Sequence, residues 1–299
     1  MAWNPWIRGG LWVVAGCAAA VAVAVATGLV LGERKAGRRI DVAVQPVALP
    51  EGAEALARGG YLYASRGCAD CHGADGAGRV FVDGGADLHL AGPAIAPGGR
   101  LTDGYAPADW VRTVRHGVKP DGHPVRVMPS EEYNRLTDAD LGALVAYVRA
   151  LPPVSPRAAE LRLPLPARVL YGFGMIPDAA DKIDHARPPQ APVPEGITVA
   201  HGEYVVQMCT GCHGAQLAGG RIPGAPPDWP DAARLAGPEG VMARAYADPE
   251  AFLRMLRSGR RADGSAIAVM PFEALSKLSD TDARALHRYL VSAGAGNPM

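Results

Sequence analysis

Apolar positions follow three rhythms along the chain, and each predicts a different kind of element. From Leu11 to Leu31 they are nearly continuous, broken only by Gly16, Thr27 and Gly28. As a helix this run is about 31 Å long, roughly the hydrocarbon thickness of a bilayer. Further on, apolar residues recur at helical spacing: Leu141, Leu144, Val145 and Val148, and again Leu286, Tyr289, Leu290 and Ala293. Thr137-x-x-Asp140 and Ser279-x-x-Asp282 precede these stretches and predict capping boxes that open two terminal helices. Another helix is bracketed by Ala106-Pro107 and Gly117 and turns Trp110, Val111 and Val114 inward. Its counterpart begins at Asp248-Pro249 and stops at Gly259. A third pair contains Gly59 with Tyr61 and Gly202 with Tyr204, where glycine admits a close helix partner and the aromatic fills the rest of the contact. The third rhythm is irregular. Between Pro152 and Pro194, proline clusters that favour stiff, extended chain alternate with Leu161, Leu163, Leu165, Val169, Leu170, Tyr171 and Phe173, too apolar a set for a free tether.

Two copies of one word sit ahead of these helices: Cys68-Ala69-Asp70-Cys71-His72 and Cys209-Thr210-Gly211-Cys212-His213. This C-x-x-C-H pattern suits covalent haem attachment. Each thiol can add to a vinyl group on one haem edge, and the following histidine offers an imidazole to the iron. A zinc site would need a second Cys/His pair in the same domain, and a redox dithiol would need a β-α-β setting. Neither half supplies one.

The sixth iron ligand comes from matching the halves. Met128-Pro129 and Met270-Pro271 lie at almost the same distance beyond His72 and His213. Aligned on these methionines without a gap, Gly117 falls on Gly259, Asp121-Gly122 on Asp263-Gly264, Leu136 on Leu278, Asp138 on Asp280 and Tyr147 on Tyr289. A thioether is a soft donor that suits haem iron, and His/Met ligation raises the potential relative to two imidazoles. His116 and His123 are rival ligands in the first half, but their counterparts Ser258 and Ser265 cannot serve. Met208, Met242 and Met255 have no methionine counterparts and read as packing residues.

Other chemistry is thinner. Gly73, Gly76 and Gly78, with Gly214, Gly219 and Gly220, follow no strand and lead to no Gly-Lys-Ser/Thr, so they read as loop around a haem edge rather than a phosphate cradle. Cys17, inside the first apolar run, reads as an inert buried thiol. Glycine and proline are plentiful, 37 and 27 of 299 residues, which suits small domains folded around a cofactor. Lys plus Arg and Asp plus Glu both number 30, so there is no basic footprint and no nucleic-acid partner is expected.

From about Ala53 to Ala295 the chain resembles tandem class I cytochrome c domains. The resemblance implies an all-α fold: an N-terminal transmembrane helix followed by two such domains. It implies two covalently bound haem c groups held by Cys68, Cys71, Cys209 and Cys212, with His72, Met128, His213 and Met270 as axial ligands. Arg58-Gly59-Gly60-Tyr61-Leu62, Gly92-Pro93, Met128-Pro129-Ser130 and Leu136-Thr137-Asp138-Ala139-Asp140-Leu141 look more narrowly like the cytochrome subunits of membrane-bound periplasmic dehydrogenases. Those subunits pass electrons from an alcohol-, aldehyde- or sugar-acid-oxidising partner to quinone or an oxidase. The typical member has three haem words and this chain has two. The expected role is an electron relay rather than an enzyme. The alternatives are a di-haem subunit of a cbb3-type haem-copper oxidase, echoed faintly by Trp3-Asn4-Pro5-Trp6, and a catalytic di-haem peroxidase or thiosulfate-oxidising protein.

The expected organisation is a membrane anchor with flanks over 1–40, a linker over 41–52, a first cytochrome domain over 53–153, a Pro-rich connector over 154–196 and a second cytochrome domain over 197–299. Ala24-Val25-Ala26 also fits a signal-peptide cleavage site, but the apolar run exceeds the usual core of about 7 to 15 residues, which favours an uncleaved anchor. Arg34, Lys35, Arg38 and Arg39 follow the run and only Arg8 precedes it, so charge alone would put the domains in the cytoplasm. Covalent haem attachment in bacteria takes place outside the inner membrane, so the haem domains are expected in the periplasm.

Overall fold

The computed structural model describes residues 5–222, 224–226 and 228–294. Trp3 and Asn4 of the lead-in motif and the chain end beyond residue 294 lie outside them. Helix α1, Pro5–Ala36, is 32 residues long, or about 48 Å. Its most apolar window, within Gly9–Ala36, has a mean hydropathy of 2.4 and is 6% buried. Among the described residues it is the one helix long and apolar enough to cross a membrane. Cys17 lies on it, exposed on the bare helix surface rather than buried in protein as expected.

Beyond α1 the chain runs extended along the first half. Val42 and Val47 are buried there, and Ile40 N–H donates to the Gly122 carbonyl at 2.9 Å. Helix α2 (Ala53–Ser65) leads into α3 (Cys68–His72), the first haem word. A hairpin of β1 (Val80–Asp83) and β2 (His89–Ala91) follows, then α4 (Pro107–Trp110), which continues as a π-helical turn over Val111–Arg115. Short α5 (Ser130–Tyr133) and the longer α6 (Asp138–Ala150) close the half.

The connector then adds β3 (Glu160–Arg162) to the hairpin in the order β1-β2-β3, all antiparallel. Its next pieces are α7 (Leu165–Gly172), laid across α1, and α8 (Ala179–Lys182), packed near α5. This small sheet is an ornament on a helical fold. The second half repeats the helices: α9 (Val199–Val205), a 3-10 turn over Val206–Cys209, α10 (Thr210–His213), α11 (Val241–Arg244), α12 (Pro249–Ser258), α13 (Phe272–Leu275) and α14 (Asp280–Gly294).

In each half the first and last helices cross so closely that the crossing tolerates only glycine. A side chain at Gly59 would strike the Ala143 carbonyl on α6, and one at Gly202 would strike the Ala285 carbonyl on α14. The expected terminal caps are present, with Asp140 N–H donating to Thr137 Oγ1 at 3.1 Å and Asp282 N–H to Ser279 Oγ at 3.0 Å. Asp248 caps α12 by accepting from Glu250 and Ala251 N–H, and Gly259 ends it at φ 67°. Met242 and Met255 are buried in the second core beside Leu256, Leu278, Leu286 and Leu290, with Met208 packed against them, as expected of packing residues.

A second expectation changes. Tyr61 and Tyr204 do not fill the crossing of their own helices; Tyr147 and Tyr289 occupy that space, their Cβ atoms lying against Gly59 and Gly202. Tyr61 and Tyr204 instead reach into the opposite half. The Tyr204 hydroxyl donates to Asp140 Oδ2 at 2.6 Å and accepts from Thr137 N–H at 3.3 Å. The Tyr61 hydroxyl donates to Asp282 Oδ2 at 2.6 Å and accepts from Ser279 N–H at 3.1 Å. In an ordinary capping box the carboxylate itself reaches back to the N-cap N–H. Here a hydroxyl from the other half is inserted between them, twice and reciprocally.

Candidate functional site

A chamber of about 890 Å³ opens inside the first half, and Cys68, Cys71, His72 and Met128 all line it. They arrive from two places in the sequence, the α3 word and the loop before α5. The other walls are mainly apolar, with Leu90, Ile95, Leu144 and Val148 among them.

Histidine orientation is set by one bond. His72 Nδ1 lies 2.9 Å from the Pro93 carbonyl oxygen. A carbonyl can only accept, so Nδ1 carries the proton and Nε2 keeps its lone pair for a ligand. Burial lowers the His72 pKa, opposed by that bond, so the ring is neutral. His213 repeats the arrangement with the Ala233 carbonyl at 2.7 Å, and burial lowers its pKa too. The backbone partners of both histidines lie 21 and 20 residues downstream, with no sequence signal to mark them.

Each methionine sits at the start of the same turn. Pro129 has φ −80° and ψ 66°, and Pro271 has φ −78° and ψ 68°. Ser130 N–H donates to the Met128 carbonyl and Phe272 N–H to that of Met270, both at 2.9 Å. These are inverse γ-turns, whose central φ proline supplies without cost. Upstream, Asp121-Gly122 and Asp263-Gly264 form the tips of matching loops, closed by Val125 N–H to Gly117 O at 2.7 Å and Ile267 N–H to Gly259 O at 2.9 Å. The rival ligands face elsewhere. His116 Nδ1 meets His185 Nδ1 at 3.1 Å, His123 pairs with Asp121 at 3.1 Å, and neither lines the chamber.

The thiols are not activated. None of the four is in a disulfide, and burial pushes Cys68 and Cys209 up to about 12 and Cys71 to about 11. A redox dithiol needs the opposite shift. Among the described residues, no three His, Cys, Asp or Glu side chains converge as a zinc site requires.

The chamber suits a flat, mostly apolar group with one polar edge. Trp110 Nε1 is buried without a hydrogen-bond partner on the chamber wall, an orphaned donor that a carboxylate would satisfy. Arg100, Arg126 and Arg157 line the same chamber. Haem, with its propionates, fits this description. In the second half Phe252 takes the place of Trp110 and is buried among apolar neighbours, while Cys209 and Met270 pack at the edge of the same core. Cys212 is exposed.

The haem words also meet across the two halves. α5, which follows Met128-Pro129, packs on the 3-10 turn and α10, while α13, which follows Met270-Pro271, packs on α2 and α3. Glu132 lies against Gly211, inside the second word, and Ala274 lies 3.9 Å from the position of a side chain at Gly67.

Residues 54–148 and 198–290, the segments built around these two sites, each match the family described as cytochrome C oxidase, cbb3-type, subunit III. The chain belongs to this cytochrome c family. The cytochrome is 32% identical over 135 residues to the fructose dehydrogenase cytochrome subunit of Gluconobacter japonicus, covering 42% of this chain and 27% of that one. It is 29% identical over 270 residues to the gluconate 2-dehydrogenase cytochrome c subunit of Pantoea cypripedii, covering 80% and 59%. The cytochrome thus spans less than two thirds of either relative. Family membership implies covalently bound haem c, and each matched segment of the cytochrome holds one C-x-x-C-H word.

Proposed function

We propose that this cytochrome is a membrane-anchored electron relay carrying two covalently bound haem c groups. The observation that carries the reading is the chamber onto which Cys68, Cys71, His72 and Met128 open together. Cys68 and Cys71, and Cys209 and Cys212, would hold the haems as thioethers. His72 with Met128, and His213 with Met270, would be the residues that ligate the two irons. When bound, haem supplies one-electron redox chemistry, at a potential that His/Met ligation raises. The chain does the rest: the Pro93 and Ala233 carbonyls hold the imidazoles neutral and aimed, the proline turns present the thioethers, and apolar walls exclude water. With both ligands in place neither iron would have a position for a substrate, which favours a relay over an enzyme.

Likeness to two dehydrogenase cytochrome subunits supports a periplasmic dehydrogenase as donor, with quinone or a terminal oxidase pathway as acceptor. The family description favours a second reading, a fixed subunit of a cbb3-type oxidase. We place the anchor in the bacterial inner membrane and the haem domains in the periplasm. The cations that follow the anchor are partly neutralised in the fold, since Arg38 pairs with Asp178 and Asp181 at 2.6 Å and Lys35 with Asp181 at 3.6 Å.

Met128→Ala and Met270→Ala should each open one iron to carbon monoxide, read by its absorption change, while the unmodified protein binds none. Full carbon monoxide occupancy of the unmodified protein would sink the relay reading. Isolation in mild detergent separates the partners: a copurifying dehydrogenase supports the first, a haem-copper oxidase the second. Protease digestion of haem domains from the cytoplasmic side would overturn the location.

A further inference from the structure

Helix α7 crosses α1 with the two backbones in close approach at Gly28, Gly32 and Gly172, flanked by the Val169 and Phe173 side chains beside Gly28. A side chain at Gly172 would overlap the Gly28 carbonyl, and one at Gly32 would meet the Arg168 carbonyl at 3.4 Å and Gly172 Cα at 3.6 Å. Such a contact fixes the height of α7 along the anchor. Gly28 lies three residues inside the end of the Leu11–Leu31 run, about 4.5 Å along the helix axis. The crossing is therefore level with the outer margin of the apolar segment.

Above and below that level the chemistry separates. Towards the haem domains, Lys35 Nζ lies 4.5 Å over the Tyr171 ring and donates to the Ile176 carbonyl at 2.8 Å. The Tyr171 hydroxyl donates to Asp178, which with Asp181 also holds Arg38. Away from that polar cluster the same segment is apolar and largely exposed: Leu165 is 49% exposed, Leu170 38%, Met175 68%, and Phe173, whose ring edge lies beside Gly28 of α1, 47%. Gly174, at φ 78°, turns the chain so that Met175 N–H bonds back to the Leu170 carbonyl at 3.0 Å, which keeps Met175 beside the helix. Isolated exposed apolar residues need no explanation, but four on one short segment, continuous with an exposed apolar helix, do.

We propose that α7 and the Phe173-Gly174-Met175 turn form a second membrane contact, seated in the acyl margin of the leaflet from which α1 emerges towards the haem domains. Lipid hydrocarbon is the occupant of this face. The proposal rests on the reading of α1 as a membrane anchor. Interfacial segments bury their apolar face about 5 to 10 Å below the headgroups, which matches a helix pinned at the margin of the apolar run. The consequence is a fixed posture. A cytochrome held only by α1 could swivel about its linker, whereas two contacts set the height and tilt at which the haem domains meet a partner.

Nitroxide accessibility tests this in the full-length holocytochrome, reconstituted alone into phosphatidylcholine vesicles. The probe is attached to Leu170→Cys or Met175→Cys in a Cys17→Ala background, with Val21→Cys reporting on the anchor and exposed Lys277→Cys on water. We expect the probes at 170, 175 and 21 to relax several-fold more with oxygen, relative to a water-soluble nickel chelate, than the probe at 277. Lipid-like behaviour at 21 with water-like behaviour at 170 and 175 overturns the proposal and leaves the anchor standing. Water-like behaviour at all positions overturns the anchor reading itself. Shielding of 170 and 175 from both reagents assigns the face to protein contact and also overturns the proposal.

Discussion

Asp140 in the first half accepts from Arg58 at 2.8 Å, and Arg58 is 28% exposed. Asp282, its counterpart, accepts from His201 at 2.7 Å and from Arg66 at 2.8 Å, and those three side chains are only 0–6% exposed. Both acids cap the closing helix of their half, and both take a tyrosine from the other half. Only the second does so with its charge and its partner's charge almost fully removed from water. Identical cap geometry therefore hides very different dependence on each partner, because a desolvated charge that loses its mate has no solvent to turn to.

The largest expected break in that comparison is Asp282→Ala. It strands buried Arg66, and denaturant titration should show a loss of about 3 to 5 kcal/mol. Asp140→Ala should cost less, about 1 to 2 kcal/mol, because Arg58 can swing into water. Equal losses would mean that burial does not distinguish the two caps. Acid provides the same test without mutation. Burial pushes both carboxyls up, but Arg58 and Tyr204 on Asp140, and Arg66, Tyr61 and His201 on Asp282, hold them below the ordinary range. Their contribution is complete above the unfolded carboxyl pKa of about 4 and fades as pH falls through the lowered folded value. Unfolding midpoints of the native protein should drop over that acid range, and those of Asp282→Ala much less.

Next in size is Glu132→Gln, at a position where the second half has Ala274. Burial, with Glu131 adding to it, pushes the Glu132 carboxyl up to about 8. A folded pKa above the unfolded one means stability is lost as pH rises from about 4 towards that value. The glutamine variant should be more stable at pH 7 by about 1 to 3 kcal/mol and equal to the native protein near pH 4. Tyr61→Phe and Tyr204→Phe each remove one link between the halves and should cost about 1 kcal/mol. The smallest change in stability is expected from Trp110→Phe, which gives the first site the residue that the second has at Phe252. Redox titration should show only one of the two potentials moving, since Phe252 offers no such donor in the second half; movement of both would deny that the two sites are separate.

Much of the local structure could be read from sequence because its causes are local. Thr137, Ser279, Asp248 and Gly259 announce helix ends by chemistry that acts over three or four residues. Gly59 and Gly202 announce a crossing because nothing larger fits. Pairing Met128 with Met270 needed the repeat, which turns two isolated methionines into one argument. The roles of Tyr61 and Tyr204 are not legible in sequence because their partners lie 221 and 64 residues away, and no periodicity encodes such a distance. Neither could the sequence place β3 or α7, since an apolar proline-rich stretch does not say which surface it covers. The carbonyls of Pro93 and Ala233 were silent for another reason: any residue has a carbonyl, and only the fold selects these two.

The reciprocal tyrosines carry one more consequence. When each half offers the other the same residue and takes the same residue in return, the contact is isologous, like that of a two-fold dimer, and two bodies exhaust it. Neither Tyr61 nor Tyr204 is left over to recruit a further copy. The chain is in effect a dimer fused through its connector, and any added haem module would have to dock on a surface built by different rules.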